Sequence, residues 1–126
     1  VGYGHSALYA SGVLEITEAD RLRDGSSGAA ARALNRLECP GLAGFWVHVD
    51  ADVLDPAVMP AVDSPEPGGP GSEELVHLLR PLLSHPGALG LQLTIYDPAQ
   101  DPDGSGADLL VGILERACPR QDRSAA

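Results

Sequence analysis

The chain has 126 residues, 18 acidic side chains against 8 arginines, no lysine, and a formal charge of −10. This length allows one domain with a hydrophobic core, and the negative charge predicts that neither nucleic acid nor an anionic membrane is a partner. A metal ion or a small cationic substrate is favoured instead. Two cysteines, Cys39 and Cys118, are too few for a disulfide framework and predict free thiols in a reducing cytoplasm.

The first half of the chain predicts two short strands, two helical segments and one buried strand. Residues 1–3 and 12–16 have strand character, and residues 17–20 offer a helix cap followed by acidic residues. Residues 29–37 carry apolar side chains at helical spacing. The nearly continuous apolar run at 44–50 predicts a strand that is covered on both faces, as in a parallel sheet.

The second half predicts a further helix, strand and helix. In order, we expect an irregular loop at 55–71, a helix from Ser72, a strand at 88–96, a loop at 97–106, a helix at 107–117 and a polar tail at 119–126. Alternating strands and helices favour a parallel sheet with helices on both faces. The sequence therefore predicts a single α/β domain over 1–126, with three α/β/α layers.

Asp50 and Asp52 follow the buried run at 44–50. Side chains two residues apart in a strand point to the same side, so both carboxylates can enter one small space. A divalent cation such as Mn²⁺ or Mg²⁺ would relieve their repulsion, and such ions prefer oxygen ligands. The alternative is that the two residues only begin the next loop, with Asp50 capping it and Asp52 solvated.

A longer pattern continues beyond this pair. Asp50-Ala51-Asp52 is followed by Asp55-Pro56, Pro60-Ala61, Pro65-Glu66-Pro67-Gly68-Gly69 and a helix opened by Ser72-Glu73-Glu74. This pattern resembles the ureohydrolases, the family of arginase, agmatinase and formiminoglutamase, and the resemblance is specific from Trp46 to Gly69. Ile95-Tyr96-Asp97-Pro98 is similar to the exit turn of the last core strand in that family.

The resemblance implies an arginase-like fold that contains a binuclear Mn²⁺ centre. It implies that Asp50 bridges both ions, that Asp52 chelates one, and that Ser64 contacts the substrate unless it is an ordinary loop serine. The implied reaction is hydrolysis of a linear C–N bond in a small cationic guanidino or amidine compound, in which the ions supply the nucleophile near neutral pH. The resemblance also implies a cytoplasmic homo-oligomer.

Three departures from the family pattern qualify this expectation. The Gly-Gly-Asp-His and Asp-Ala-His-x-Asp segments that complete the family's metal centre do not occur in these 126 residues. His48 stands where the family has Ser or Thr, so it is either a hydrogen-bonding partner of Asp50 or a histidine packed in the sheet. Ile95 stands at the position of the glutamate that grips the guanidinium group in arginase, so arginase activity itself is not implied.

These departures leave two alternatives to an active hydrolase. One is an arginase-fold protein whose site has eroded, and the other is a small acidic module that binds a divalent cation through Asp50, Asp52 and Asp55 without turnover. Because the chain begins at Val1 without an initiator Met, we expect it to be the C-terminal part of a longer protein, with its N-terminal portion missing. The segment alone is then expected to be inactive.

Overall fold

The computed structural model describes residues 12–120, so the strand predicted at 1–3 and most of the predicted tail lie outside the described residues. The main elements are α1 (Glu18–Leu37), β1 (Phe45–Asp50), α2 (Ser72–Ser84), β2 (Ala88–Thr94) and α3 (Ser105–Ala117). A short 3-10 turn follows each strand, Ala51–Val53 after β1 and Pro98–Gln100 after β2. None of the helices between residues 12 and 120 has the length and hydropathy that a bilayer crossing requires.

The predicted helix start near Thr17 is confirmed. The Thr17 hydroxyl accepts a hydrogen bond from the Asp20 amide, and the Asp20 carboxylate accepts one from the Thr17 amide, which closes a capping box. Gly25, with φ 75°, interrupts α1 and separates the two predicted helical segments. The strand predicted at 12–16 is wrong, because residues 13–17 form no strand and Val13 and Leu14 are exposed rather than held on a pleated surface.

The two strands pair in parallel, as predicted, with His48 opposite Gln92 and Asp50 opposite Thr94. β2 ends at Thr94, two residues before the predicted end. Ile95 has a positive φ of 71°, a conformation rare for a β-branched residue, and this turns the chain out of the strand. Tyr96 then forms an isolated antiparallel bridge with Val62.

One face of the sheet carries the core. Val47 and Val49 are buried, while the alternate side chains of β1, Trp46 and His48, are exposed. Within residues 12–120, the core lies on the Val47 and Val49 face of β1. The helical side chains that share the core cluster with β1 are Leu75, Val76, Leu79, Leu110, Ile113 and Ala117.

Helix α3 begins two residues earlier than predicted because Asp101 satisfies its first amides. The carboxylate accepts hydrogen bonds from the Gly106 and Ala107 amides at 3.0 and 2.9 Å, and from the Tyr96 hydroxyl at 2.7 Å. These donors, the Gly106 amide first, hold the pKa of Asp101 below its ordinary value. The pair of residues Asp101 and Tyr96 thus ties the exit of β2 to the start of α3.

Asp101→Asn is expected to lower the melting temperature by a few degrees, because one of its two acceptor oxygens becomes a donor that faces other donors. A lowered pKa in the folded state contributes stability that is complete above about pH 4, the ordinary aspartate value, and is lost as the pH falls through the lowered pKa. Melting curves from pH 7 to pH 2 should therefore converge for wild type and variant in acid. A constant difference across that range would contradict this account; exposed Asp108→Asn is the control.

Candidate metal centre

The two predicted metal ligands lie at the carboxyl end of β1, where ligands bind in open parallel sheets. Asp50 is the last residue of the strand, and Asp52 lies within the 3-10 turn that follows. The strand-alternation argument is therefore wrong for Asp52, because the backbone leaves the extended conformation at Ala51, which is fully buried in the core. Even so, Asp50 and Asp52 both line one cleft of about 410 Å³ between β1 and α2.

The carboxylate of Asp50 is held through one oxygen. Its Oδ1 accepts a hydrogen bond from the Thr94 hydroxyl and lies 2.8 Å from Nε2 of His48. These contacts, that of Thr94 first, keep the pKa of Asp50 below its ordinary value. No hydrogen bond from residues 12–120 reaches Oδ2.

His48 lies on the same face of the sheet as Asp50, as predicted, and not in the sheet core. Its side chain is 53% exposed, and its Nδ1 lies 3.2 Å from Oε1 of Gln92 on the neighbouring strand. The pattern of alternate residues placed His48 and Asp50 together, but it did not identify Gln92 and Thr94 as their partners. These partners follow from the register of the two parallel strands, which pairs His48 with Gln92 and Asp50 with Thr94.

Asp52 and Ser64 differ in their relation to the cleft. Asp52 is half-buried in the cleft wall, and its carboxylate makes no hydrogen bond to the part of the chain that the structure describes. Ser64 is exposed, two residues beyond the bridge of Val62 with Tyr96, and is not among the residues that line the cleft. The roles of Asp52 as a ligand and Ser64 as a substrate contact stay predictions.

Asp55 has a structural role that argues against its use as a ligand. Its two oxygens accept hydrogen bonds from the Ala57 amide at 2.9 Å and the Gly68 amide at 3.0 Å, and these bonds lower its pKa. The Asp55 amide donates in turn to the Pro70 carbonyl at 3.1 Å. These hydrogen bonds fasten the loop at 55–71 to the chain just beyond Asp52. Because both oxygens of Asp55 are used in this way, a module that binds a divalent cation through Asp55 is not favoured.

The donor chemistry of the cleft fits a hard divalent cation in part. Oδ2 of Asp50 and the carboxylate of Asp52 are oxygen donors of the kind that Mn²⁺ and Mg²⁺ accept. Across residues 12–120, however, no three His, Cys, Asp or Glu side chains are grouped closely enough to hold an ion. The described residues therefore do not form a full set of metal ligands by themselves.

Residues 5–118 match the model of the Arginase family. A Schizosaccharomyces pombe protein named "Putative agmatinase 3" is 35% identical over 105 residues, which are 81% of this chain and 24% of that protein. The chain thus spans about a quarter of the curated relative that it matches.

Solved structures show the same likeness. The arginase of Bacillus subtilis has a TM-score of 0.84 at 20% identity, covering 97% of this chain and 45% of the arginase. The proclavaminate amidino hydrolase of Streptomyces clavuligerus has a TM-score of 0.77 at 26% identity, covering 93% and 38%. The predicted α/β fold class is confirmed, and this chain corresponds to less than half of each solved structure.

Proposed function

We propose that the intact protein is a metal-dependent hydrolase of C–N bonds in a linear guanidino or amidine compound, because this chain belongs to the arginase family. One observation supports the proposal above all. Asp50 and Asp52 line a single cleft at the carboxyl end of β1, with acceptor oxygens that no described residue uses.

Asp50 and Asp52 would hold part of a binuclear Mn²⁺ centre, with the remaining ligands supplied from outside residues 12–120. Such a centre, when bound, lowers the pKa of water and stabilises the negative charge that develops during hydrolysis. The chain's own residues prepare the site: Thr94 and His48 fix the carboxylate of Asp50, and the buried Ala51 fixes the turn that carries Asp52. Because Oδ1 accepts the hydrogen bond of the Thr94 hydroxyl, Oδ2 of Asp50 is the oxygen that would bind the metal.

The substrate is proposed to be a small cation, in keeping with the formal charge of −10. Ile95 is 42% exposed at the end of β2 and brings no charge to the position where arginase has its glutamate. We therefore favour a guanidino or amidine compound other than arginine, with Ser64 as a proposed contact. A cytoplasmic homo-oligomer is part of the proposal, and the free, exposed Cys39 and Cys118 are compatible with a reducing compartment.

The test is a metal-dependent assay of the intact protein. After removal of metal by a chelator, the protein is expected to be inactive, and Mn²⁺ should restore release of urea, formamide or ammonia from members of a guanidino and amidine panel. The panel should include arginine, agmatine, a guanidino acid and a formimino compound. Undiminished turnover after complete metal removal would contradict the proposal. Stoichiometric Mn²⁺ binding without turnover on any compound would instead favour the eroded family member.

A further inference from the structure

We propose that Thr94 is a positioning residue, which acts together with His48 to hold Oδ1 of Asp50 so that Oδ2 is the oxygen presented to the metal. This inference rests on the proposed metal site. A fourth polar residue on the open face of the sheet, Gln92, contacts the ring of His48. The relay formed by Gln92, His48, Thr94 and Asp50 joins the ends of both strands.

The relay follows directly from the parallel register. Asp50 lies opposite Thr94 and His48 lies opposite Gln92, so two residues from each strand meet on the exposed face. The Thr94 hydroxyl donates to Oδ1 of Asp50 and also lies 3.3 Å from Nε2 of His48. Nε2 is itself 2.8 Å from the same oxygen, so the three groups form a closed triangle.

The triangle differs from an incidental surface contact in two ways. First, the Thr94 hydroxyl and Nε2 of His48 both approach the same oxygen of Asp50, Oδ1, and no hydrogen bond from residues 12–120 reaches Oδ2. Second, Nδ1 of His48 is engaged by Gln92 at 3.2 Å, which restricts the rotation of the imidazole. A carboxylate whose rotamer is fixed before metal binding loses less conformational freedom on binding, and partners of metal ligands commonly change affinity by about 10- to 100-fold.

Ile95 supports the relay from the backbone. Its positive φ of 71° ends β2 directly after Thr94. The chain beyond is then fastened to the 61–62 segment by the Val62–Tyr96 bridge and by the Asp97 amide, which donates to the Ala61 carbonyl at 2.9 Å. Thr94 is therefore the last residue of a strand whose exit is fixed, and its hydroxyl faces Asp50 in a defined position.

The experiment measures Mn²⁺ affinity of the intact protein by calorimetry for Thr94→Val and Thr94→Ser. Valine keeps the shape of threonine but cannot donate, so we expect affinity to fall by about 10- to 100-fold. Serine keeps the hydroxyl and should restore affinity to near the wild-type value. Electron paramagnetic resonance of bound Mn²⁺ should change for Thr94→Val and not for Thr94→Ser, a difference that a purely structural role would not produce.

Three further variants separate the possible failures. His48→Ala removes the second group that contacts Oδ1, at an exposed position, and is expected to weaken binding even if Thr94→Val fails to fold. His77→Ala, an exposed histidine on α2, is the matched control and should bind normally. If Thr94→Val and His48→Ala bind Mn²⁺ as tightly as wild type, or more tightly, the relay is overturned while the metal site stands. If Asp50→Asn also binds normally, the proposed metal site itself fails.

Discussion

Asp50→Asn in the intact protein is expected to abolish turnover and to remove high-affinity Mn²⁺ binding, while the fold is retained. Asparagine has the size of aspartate and can still accept a hydrogen bond from the Thr94 hydroxyl through its amide oxygen. It cannot supply the negative charge that a divalent cation requires from this position. Because Asp50 lies at the end of β1 and its side chain is 45% exposed, the change creates neither a cavity nor a buried unpaired group.

The measurements are calorimetric titration with Mn²⁺, steady-state activity and thermal melting on the same preparation. A melting temperature close to wild type together with lost binding is the expected combination. Glu115→Gln removes one negative charge from an exposed position on α3 and is the control for net charge. Normal turnover by Asp50→Asn would remove this residue from the mechanism, whereas lost activity with intact Mn²⁺ binding would move its role from metal to substrate.

The parallel sheet was predictable because its signals are local. The apolar run before Asp50 and the helical spacing of Leu75, Leu78, Leu79 and Leu82 identify β1 and α2 without knowledge of their neighbours. A continuous apolar run does not reveal which face is covered, however. Trp46 is 67% exposed and lies over Gly90, where a Cβ atom would come within 2.4 Å of its ring.

The polar relay was not predictable to the same degree, because it depends on which residues of two separate strands lie opposite each other. The sequence places His48 beside Asp50 by alternation, but a shift of one residue in β2 would have turned Gln92 and Thr94 to the core face. The 3-10 turn at Asp52 was also missed. Its residues carry no Gly or Pro that would mark the departure from the strand.

The loop after the turn shows what composition predicts and what it does not. The density of Pro and Gly at 55–71 correctly predicts irregular backbone. It does not show why two glycines are adjacent. Gly68 has a positive φ of 95° with open space around it, whereas Gly69 lies against the backbone of Val53 to Asp55. Gly68 allows the left-handed backbone conformation of the loop, and Gly69 allows the loop to approach the backbone of residues 53–55 closely.

Gly69→Ala is expected to destabilise the protein by about 1–3 kcal/mol and to weaken Mn²⁺ binding as well. An added Cβ would lie 2.2 Å from the Val53 carbonyl oxygen and 3.0 Å from the Asp55 amide nitrogen, and neither backbone atom can rotate away. The segment 53–55 must therefore shift, and it directly follows Asp52. Chemical denaturation and calorimetric Mn²⁺ titration of the same samples measure the two effects.

Two other glycines make this prediction specific. Gly68→Ala introduces only the strain of a left-handed residue, about 1–2 kcal/mol, without a steric clash, so its metal affinity should change less than that of Gly69→Ala. Gly112→Ala, inside α3 with no atom within 4 Å of the added Cβ, should stabilise the protein by about 0.5–1 kcal/mol. If Gly69→Ala matched Gly112→Ala in stability and in Mn²⁺ affinity, the packing of the loop against Val53 would not position Asp52.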